Sequence, residues 1–275
     1  MTVLLGLWFS IAIGVSDYFG GYVTRRWHAF STVANAALAG VVVSSVLVFV
    51  VPSVFDTRSV VFGVASGVAL GFALSSLYRG LSLSSAAVVS PIVAVLMAII
   101  PVGWDVATGG SIPAIAVVGS VIALVGLVFT TISPELGDRV RLGVLWGVAG
   151  GVLFGIALTF LGTTHEDAGL WPVVGQRAAA AVVLASAAVS QRQPVAVPTD
   201  LRGRAWFSGA IGATGIAAFA VGAQGGSLAE ITIASSMFPA VTATLSTMFD
   251  GHPMRWWQLA GIGGCIAGVT LIGIA

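Results

Sequence analysis

The chain is a succession of apolar stretches, each about twenty residues long, joined by short polar connections, and this pattern restricts the fold more than any motif does. A helix needs about 20 apolar residues to cross the hydrocarbon core, and a backbone in lipid must satisfy its own hydrogen bonds. Ten such stretches divide at charges and prolines: 3–23, 31–51, 60–80, 86–106, 112–132, 142–162, 170–190, 206–225, 229–249 and 256–275. The longest polar connection, 190–204, is too short to be a domain. The expected fold is therefore an all-α integral membrane protein with ten transmembrane helices. Composition agrees, since 57% of the residues are hydrophobic and 8% charged, against roughly 25% charged in soluble domains.

All eleven basic residues are arginines, and the net charge of +1 leaves no basic surface for nucleic acid. Their placement is uneven. Arg25, Arg26, Arg79, Arg139, Arg141, Arg192, Arg202, Arg204 and Arg255 fall on the side reached after an odd number of spans, with Arg58 and Arg177 toward the other. By the positive-inside rule the first side is cytoplasmic and both termini are outside. A multi-pass position in the plasma (inner) cell membrane is expected. The opening "MTVLLGLWFS" has no positive n-region and reads as a retained first helix. The single cysteine, Cys265, reads as a small packing residue.

The two halves echo each other. "VVGSVIALVGLVF" (117–129) resembles "LAGIGGCIAGVTL" (259–271), with Gly119 and Gly126 matching Gly261 and Gly268. "SPIVAVL" (90–96) stands where "FPAVTATL" (238–245) stands later, so Pro91 and Pro239 correspond. Residues 1–136 and 137–275 then form two five-helix repeats. Because five is odd, the second repeat enters the membrane inverted, an arrangement that places a substrate site near the midplane between halves. Gly63, Gly67 and Gly71, and likewise Gly143, Gly147, Gly151 and Gly155, recur every four residues and predict close helix contacts.

Four segments carry a family resemblance: "GVSDYFGGYVTRR" (14–26), "LYRGLSLSSAAVVSPIVAVL" (77–96), "GLWPVVGQRAA" (169–179) and "GGSLAEITIASSMFPAVTATL" (225–245). The chain resembles the EamA-like transporters of the drug/metabolite transporter (DMT) superfamily over nearly its whole length. The resemblance implies two inverted five-helix repeats around a central cavity and secondary transport, often export, of amino acids or other small metabolites. The chain departs from the family around Asp105 in "GWD" and Asp250 in "FDG", where the acidic residue does not follow glycine.

Polar groups inside spans are the site candidates, because lipid-facing positions do not hold them without partners. Asp17, Asn35, Tyr78, Arg79, Trp171, Gln176, Arg177, Gln224 and Glu230 are expected along a substrate pathway. Asp17 is expected to face the interior, paired with Arg177 or Arg79 or protonated in one state of a cycle, with a structural pair or cap as the alternative. Arg79 also reads as an anchor at the membrane edge, and Glu230 as a helix-start carboxylate stabilised by the dipole. Pro91 and Pro239, with Ser235 and Ser236 nearby, are expected to kink helices and gate the path. The remaining tryptophans suit an interfacial belt.

His28, His165 and His252 lack metal-ligand spacing, so no metal is expected, and neither cofactor nor catalytic residues are expected. The function expected is secondary transport, as an exporter or permease of a small metabolite such as an amino acid or related amphipathic compound, by alternating access. A passive channel is the alternative, and behind it a membrane-embedded lipid-modifying enzyme. Expected partners are the small-molecule substrate and the lipid bilayer, with proton coupling or exchange; a monomer or homodimer is expected.

Overall fold

The computed structural model describes residues 1–83, 86–110, 113–131, 140–250 and 256–273. Arg139, His252 and Arg255 lie outside these residues, as do the side chains of Pro91, Pro239, Asp250 and Cys265. The elements of the described residues are helices: α1 (Thr2–Thr24), α2 (Ala29–Leu47), α3 (Thr57–Leu83), α4 (Ala86–Ala107), α5 (Ala114–Thr131), α6 (Val140–Gly162), α7 (Trp171–Ser190), α8 (Thr199–Gln224), α9 (Leu228–Ser235), α10 (Phe238–Asp250) and α11 (Trp256–Gly273). A single 3-10 turn, Glu166–Ala168, precedes α7.

By length and composition six helices, α1, α2, α3, α6, α7 and α8, can cross a membrane. Shorter apolar helical stretches lie at Val95–Ala107, Val117–Gly126, Leu228–Thr242 and Leu259–Gly268.

The stretch expected as one span at 229–249 is two helices. A proline ring clashes with the carbonyl four residues earlier and lacks an N–H. Pro239 would meet Ser235 in this way, so α9 stops at Ser235, and α10 restarts at Phe238 with Pro239 in its first turn, where no N–H is missed. Two residues, Ser236 and Met237, make the turn between them. Pro91, by contrast, lies in the second turn of α4, which runs on unbroken.

Glycine lets the helices approach to backbone contact. A Cβ on Gly63 or Gly67 of α3 would overlap the carbonyls of Pro172 and Gln176 of α7, and one on Gly209 of α8 would overlap the carbonyl of Ala36 of α2. On α6, Gly151 and Gly155 face Leu96 and Ile100 of α4, while on α1, Gly6 and Gly14 face Ala234 of α9 and Val241 of α10. Gly119 of α5 meets Gly268 of α11. These contacts belong to the main helix pairs: α3 with α6 and α7, α8 with α1 and α2, α4 with α6, α1 with α9 and α10, α2 with α7, and α5 with α11. Gly209→Ala is expected to lower stability by about 1 to 3 kcal/mol through overpacking, read as an earlier thermal unfolding midpoint in detergent.

Candidate functional site

One face of α1 is set for lipid and the opposite face for the interior. Leu4, Trp8 and Ile11 are exposed on the first. On the second, Ala12 and Ser16 pack against α8, where a Cβ on Gly215 or Gly212 would touch them, and Ser208 Oγ donates to the Ser16 carbonyl at 2.8 Å. Gly6, Ser10 and Gly14 pack against α9 and α10. Asp17 stands between these two rows of contacts, on the face of Ser10 two turns earlier, yet it is solvent-exposed. Its exposure is therefore on the helix face turned away from Leu4, Trp8 and Ile11. Tyr78 of α3, whose ring meets Phe30 of α2 edge-on, lies within electrostatic reach of Asp17.

Among the described residues Asp17 makes no hydrogen bond or ion pair. The expected pairing with Arg177 or Arg79 is thus not the arrangement found. Arg177 lies along Gly40 of α2, where a Cβ would press on its Cδ, and its Nη2 donates to the Gly212 carbonyl of α8 at 2.9 Å. Its Nε is buried without a partner among the described residues. Helix carbonyls have a second lone pair, so Gly212 accepts the guanidinium without giving up its own helix bond. Arg79 is exposed near the end of α3.

The other polar candidates are held in specific hydrogen bonds. Asn35 Nδ2 donates to the carbonyls of Ser31 (2.8 Å) and Val195 (2.7 Å), fastening the α7–α8 connection onto α2. Gln176 Nε2 donates to Ser66 Oγ at 2.8 Å, and Ser66 Oγ in turn to the Ala157 carbonyl at 2.6 Å, which links α7, α3 and α6. Gln224 Nε2 donates to Thr164 Oγ1 (2.9 Å) and the Gly169 carbonyl (3.0 Å). Trp171 opens α7 and meets Phe55 edge-on. Glu230 is the third residue of α9, where its N–H donates to the Oγ of the N-cap Ser227 at 3.3 Å, a Ser-x-x-Glu helix start.

The break in the ninth stretch joins Ser235 and Ser236, expected beside a gate, to Ser10 and Thr232, which were not among the expected residues, and to Asp105. Ser10 Oγ lies 2.9 Å from the carbonyls of both Ala234 and Ser235, which the ending of α9 frees. Ser236 N–H and Oγ both donate to the Ile233 carbonyl, at 3.1 and 2.6 Å. Ser235 Oγ and Thr232 Oγ1 are buried without partners among the described residues. Asp105 at the end of α4 accepts from Ser227 Oγ and Ala229 N–H, both at 3.1 Å, so it caps α9 from the other half of the chain. The spacing Ser10-x6-Asp17 on one helix face was the signal available for Ser10; nothing in sequence announced Asp105 as a cap.

Depth divides the interior. The half nearer Thr2, Gly162, Trp171 and Gln224 is filled by an apolar cluster that includes Phe9, Leu161, Leu170, Phe219, Leu228 and Ile231. Above it the connections are tied together: Val54 N–H donates to the Asp167 carbonyl, Leu170 N–H to Ser53 Oγ and His165 N–H to Ser59 Oγ. Gly169, with φ +53°, sits where a side chain would strike Ser53. Asp56 caps α3 there, and the hydrogen bonds from the Ser59 hydroxyl and N–H hold its carboxyl below the usual range. A pocket of about 520 Å3 at this end is lined by Arg58, Phe62, Thr163 and His165 among others. It is far along the helices from Asp17, which lies in the half toward Arg25 and Arg26.

Fold and site together define a multi-pass helical membrane protein with a charged interior position. Residues 141–274 match the model of the EamA-like transporter family, part of the drug/metabolite transporter superfamily. The match covers the second half of the chain, so it is this half that is similar to the family of membrane transporters. No curated protein matches the chain in sequence. A solved crystal structure, described only as that of a protein, superposes with a TM-score of 0.79 at 17% identity, covering 99% of this chain and 96% of that one; at that identity the likeness concerns the fold alone.

Proposed function

We propose that the protein is a secondary carrier for a small amphipathic metabolite of the amino-acid class, working by alternating access between two inverted five-helix repeats, 1–136 and 137–275, with ten spans in all. The observation that carries this reading is the pattern of helix packing. Exchanging α1 with α6, α2 with α7, α3 with α8, α4 with α9 and α10, and α5 with α11 turns each main helix pair into another main pair or into itself. Directions follow the same exchange: Gly151 and Gly155 meet α4 in ascending order, as Gly6 and Gly14 meet α9 and α10. A two-fold relation of this kind lets a carrier reach a second state in which the two halves have exchanged conformations.

The filled apolar half and the exposed Asp17 in the other half support a state open toward the arginine-rich side and shut on the opposite one. Asp17 and Tyr78 then face the substrate or a coupling proton, with Arg177 deeper along the path. Residence in the plasma membrane with the arginine-rich side cytoplasmic completes the reading. Purified protein in liposomes loaded with an amino-acid panel is expected to show counterflow: labelled substrate accumulates transiently against unlabelled substrate inside. Unsaturable flux without counterflow would make it a channel and overturn the proposal.

A further inference from the structure

We infer that the surface where the end of α1 meets the start of α8 binds the headgroup of an anionic phospholipid. At its top, Arg26 Cζ lies 3.6 Å and Arg204 Cζ 4.4 Å from the centroid of the Tyr22 ring. Two guanidiniums that close over one face would overlap, so they take opposite faces of the ring. Cation–π attraction holds each in place, with the two like charges on either side of one ring. Among the described residues neither has a carboxylate partner; Asp200, one turn before Arg204, does not pair with it. Arg26 uses Nη1 on the Tyr22 carbonyl at 3.1 Å. Arg26 and Arg204 are both exposed, so their remaining N–H groups are available as donors beside the ring.

A phosphate there would offset the repulsion and accept from both forks, the geometry in which arginine binds phosphate best. What surrounds the pair selects the source of that phosphate. Arg26 follows the end of α1 and Arg204 lies in the second turn of α8, at the depth where apolar helix gives way to polar connection. Directly below, Phe19 of α1 stacks edge-on against Phe207 of α8 with centroids 4.9 Å apart, and Phe207 and Trp206 are 48% and 40% exposed. An unpaired cation pair set on an exposed aromatic wall suits a molecule with an anionic head and an acyl tail, and a soluble phosphate would leave the wall unused.

The test is native mass spectrometry of the full chain titrated with phosphatidylglycerol, phosphatidylcholine and inorganic phosphate. Phosphatidylglycerol should bind as a resolved adduct, phosphatidylcholine far more weakly, and inorganic phosphate should not displace the lipid. With about 1 kcal/mol for each arginine at a membrane surface, Arg26→Gln with Arg204→Gln should weaken phosphatidylglycerol binding roughly thirtyfold and each single change roughly fivefold. The single variants keep the test decisive if the double variant does not fold. Tyr22→Leu keeps both charges but frees them, and should also weaken binding. Arg192→Gln, on the same side but away from the ring, should change nothing. Wild-type affinity in the double or in both single variants, an equal loss in Arg192→Gln, or displacement by inorganic phosphate would each overturn the site.

Discussion

Asp17→Asn is expected to cut transport about ten- to a hundredfold while leaving the helical fold and its unfolding midpoint unchanged or raised. A carboxylate within a span costs roughly 2.5 to 3.5 kcal/mol at the helix centre, and no partner among the described residues offsets it. Asparagine has the same shape and no charge, so the fold loses nothing by the change. What it loses is one charge-assisted hydrogen bond to a substrate ammonium or one proton acceptor, about 1.5 to 3 kcal/mol and hence the stated range. Initial rates in liposomes, set beside detergent melting curves, check both halves. Unchanged rates would reduce Asp17 to a residue that is tolerated because water reaches it.

Arg177→Met is expected to give the second large effect, and of the same kind: transport falls at least about tenfold, while the unfolding midpoint stays level or rises. The guanidinium holds the Gly212 carbonyl, but its Nε is unpartnered, and no carboxylate pairs with it among the described residues. Replacing an incompletely compensated interior charge by an apolar side chain of similar length is often stabilising. A lower midpoint in Arg177→Met would instead make the α7–α8 hydrogen bond structural. The two changes should also add in stability to within about 0.5 kcal/mol, as groups without direct contact do. Strong coupling would restore the ion pair that the structure does not contain.

Much of the architecture was legible in the sequence because apolar length and glycine spacing are one-dimensional signals. The glycines at 63, 67 and 71 do meet a neighbouring helix, although which neighbour, α7, was not readable. The split at Ser236 was half legible: Pro239 announced trouble, but a kink and a restart look alike until the freed carbonyls find Ser10. The site was less legible for a physical reason. Polar side chains inside a membrane need partners, and most of those partners are backbone carbonyls, which every residue has and no sequence displays. Asn35 and Arg177 find carbonyls on remote segments, and Gln176 finds a serine hydroxyl that itself serves a carbonyl. Reading charge against charge therefore joined Asp17 to Arg177 when each had a different environment. Glu230 shows the opposite case, since a Ser-x-x-Glu start is local and was legible as such.

The central claim is that Asp17 faces an interior path open to the arginine-rich side and closed at the other. Single-cysteine labelling in a Cys265→Ser background tests it most directly, with a membrane-impermeant maleimide applied to sealed vesicles of either orientation. Arg192→Cys reports one side and Asp167→Cys the other. Asp17→Cys should be labelled from the side that labels Arg192→Cys, and much faster than from the side that labels Asp167→Cys. Preference for the Asp167 side, or no labelling from either, would contradict the account.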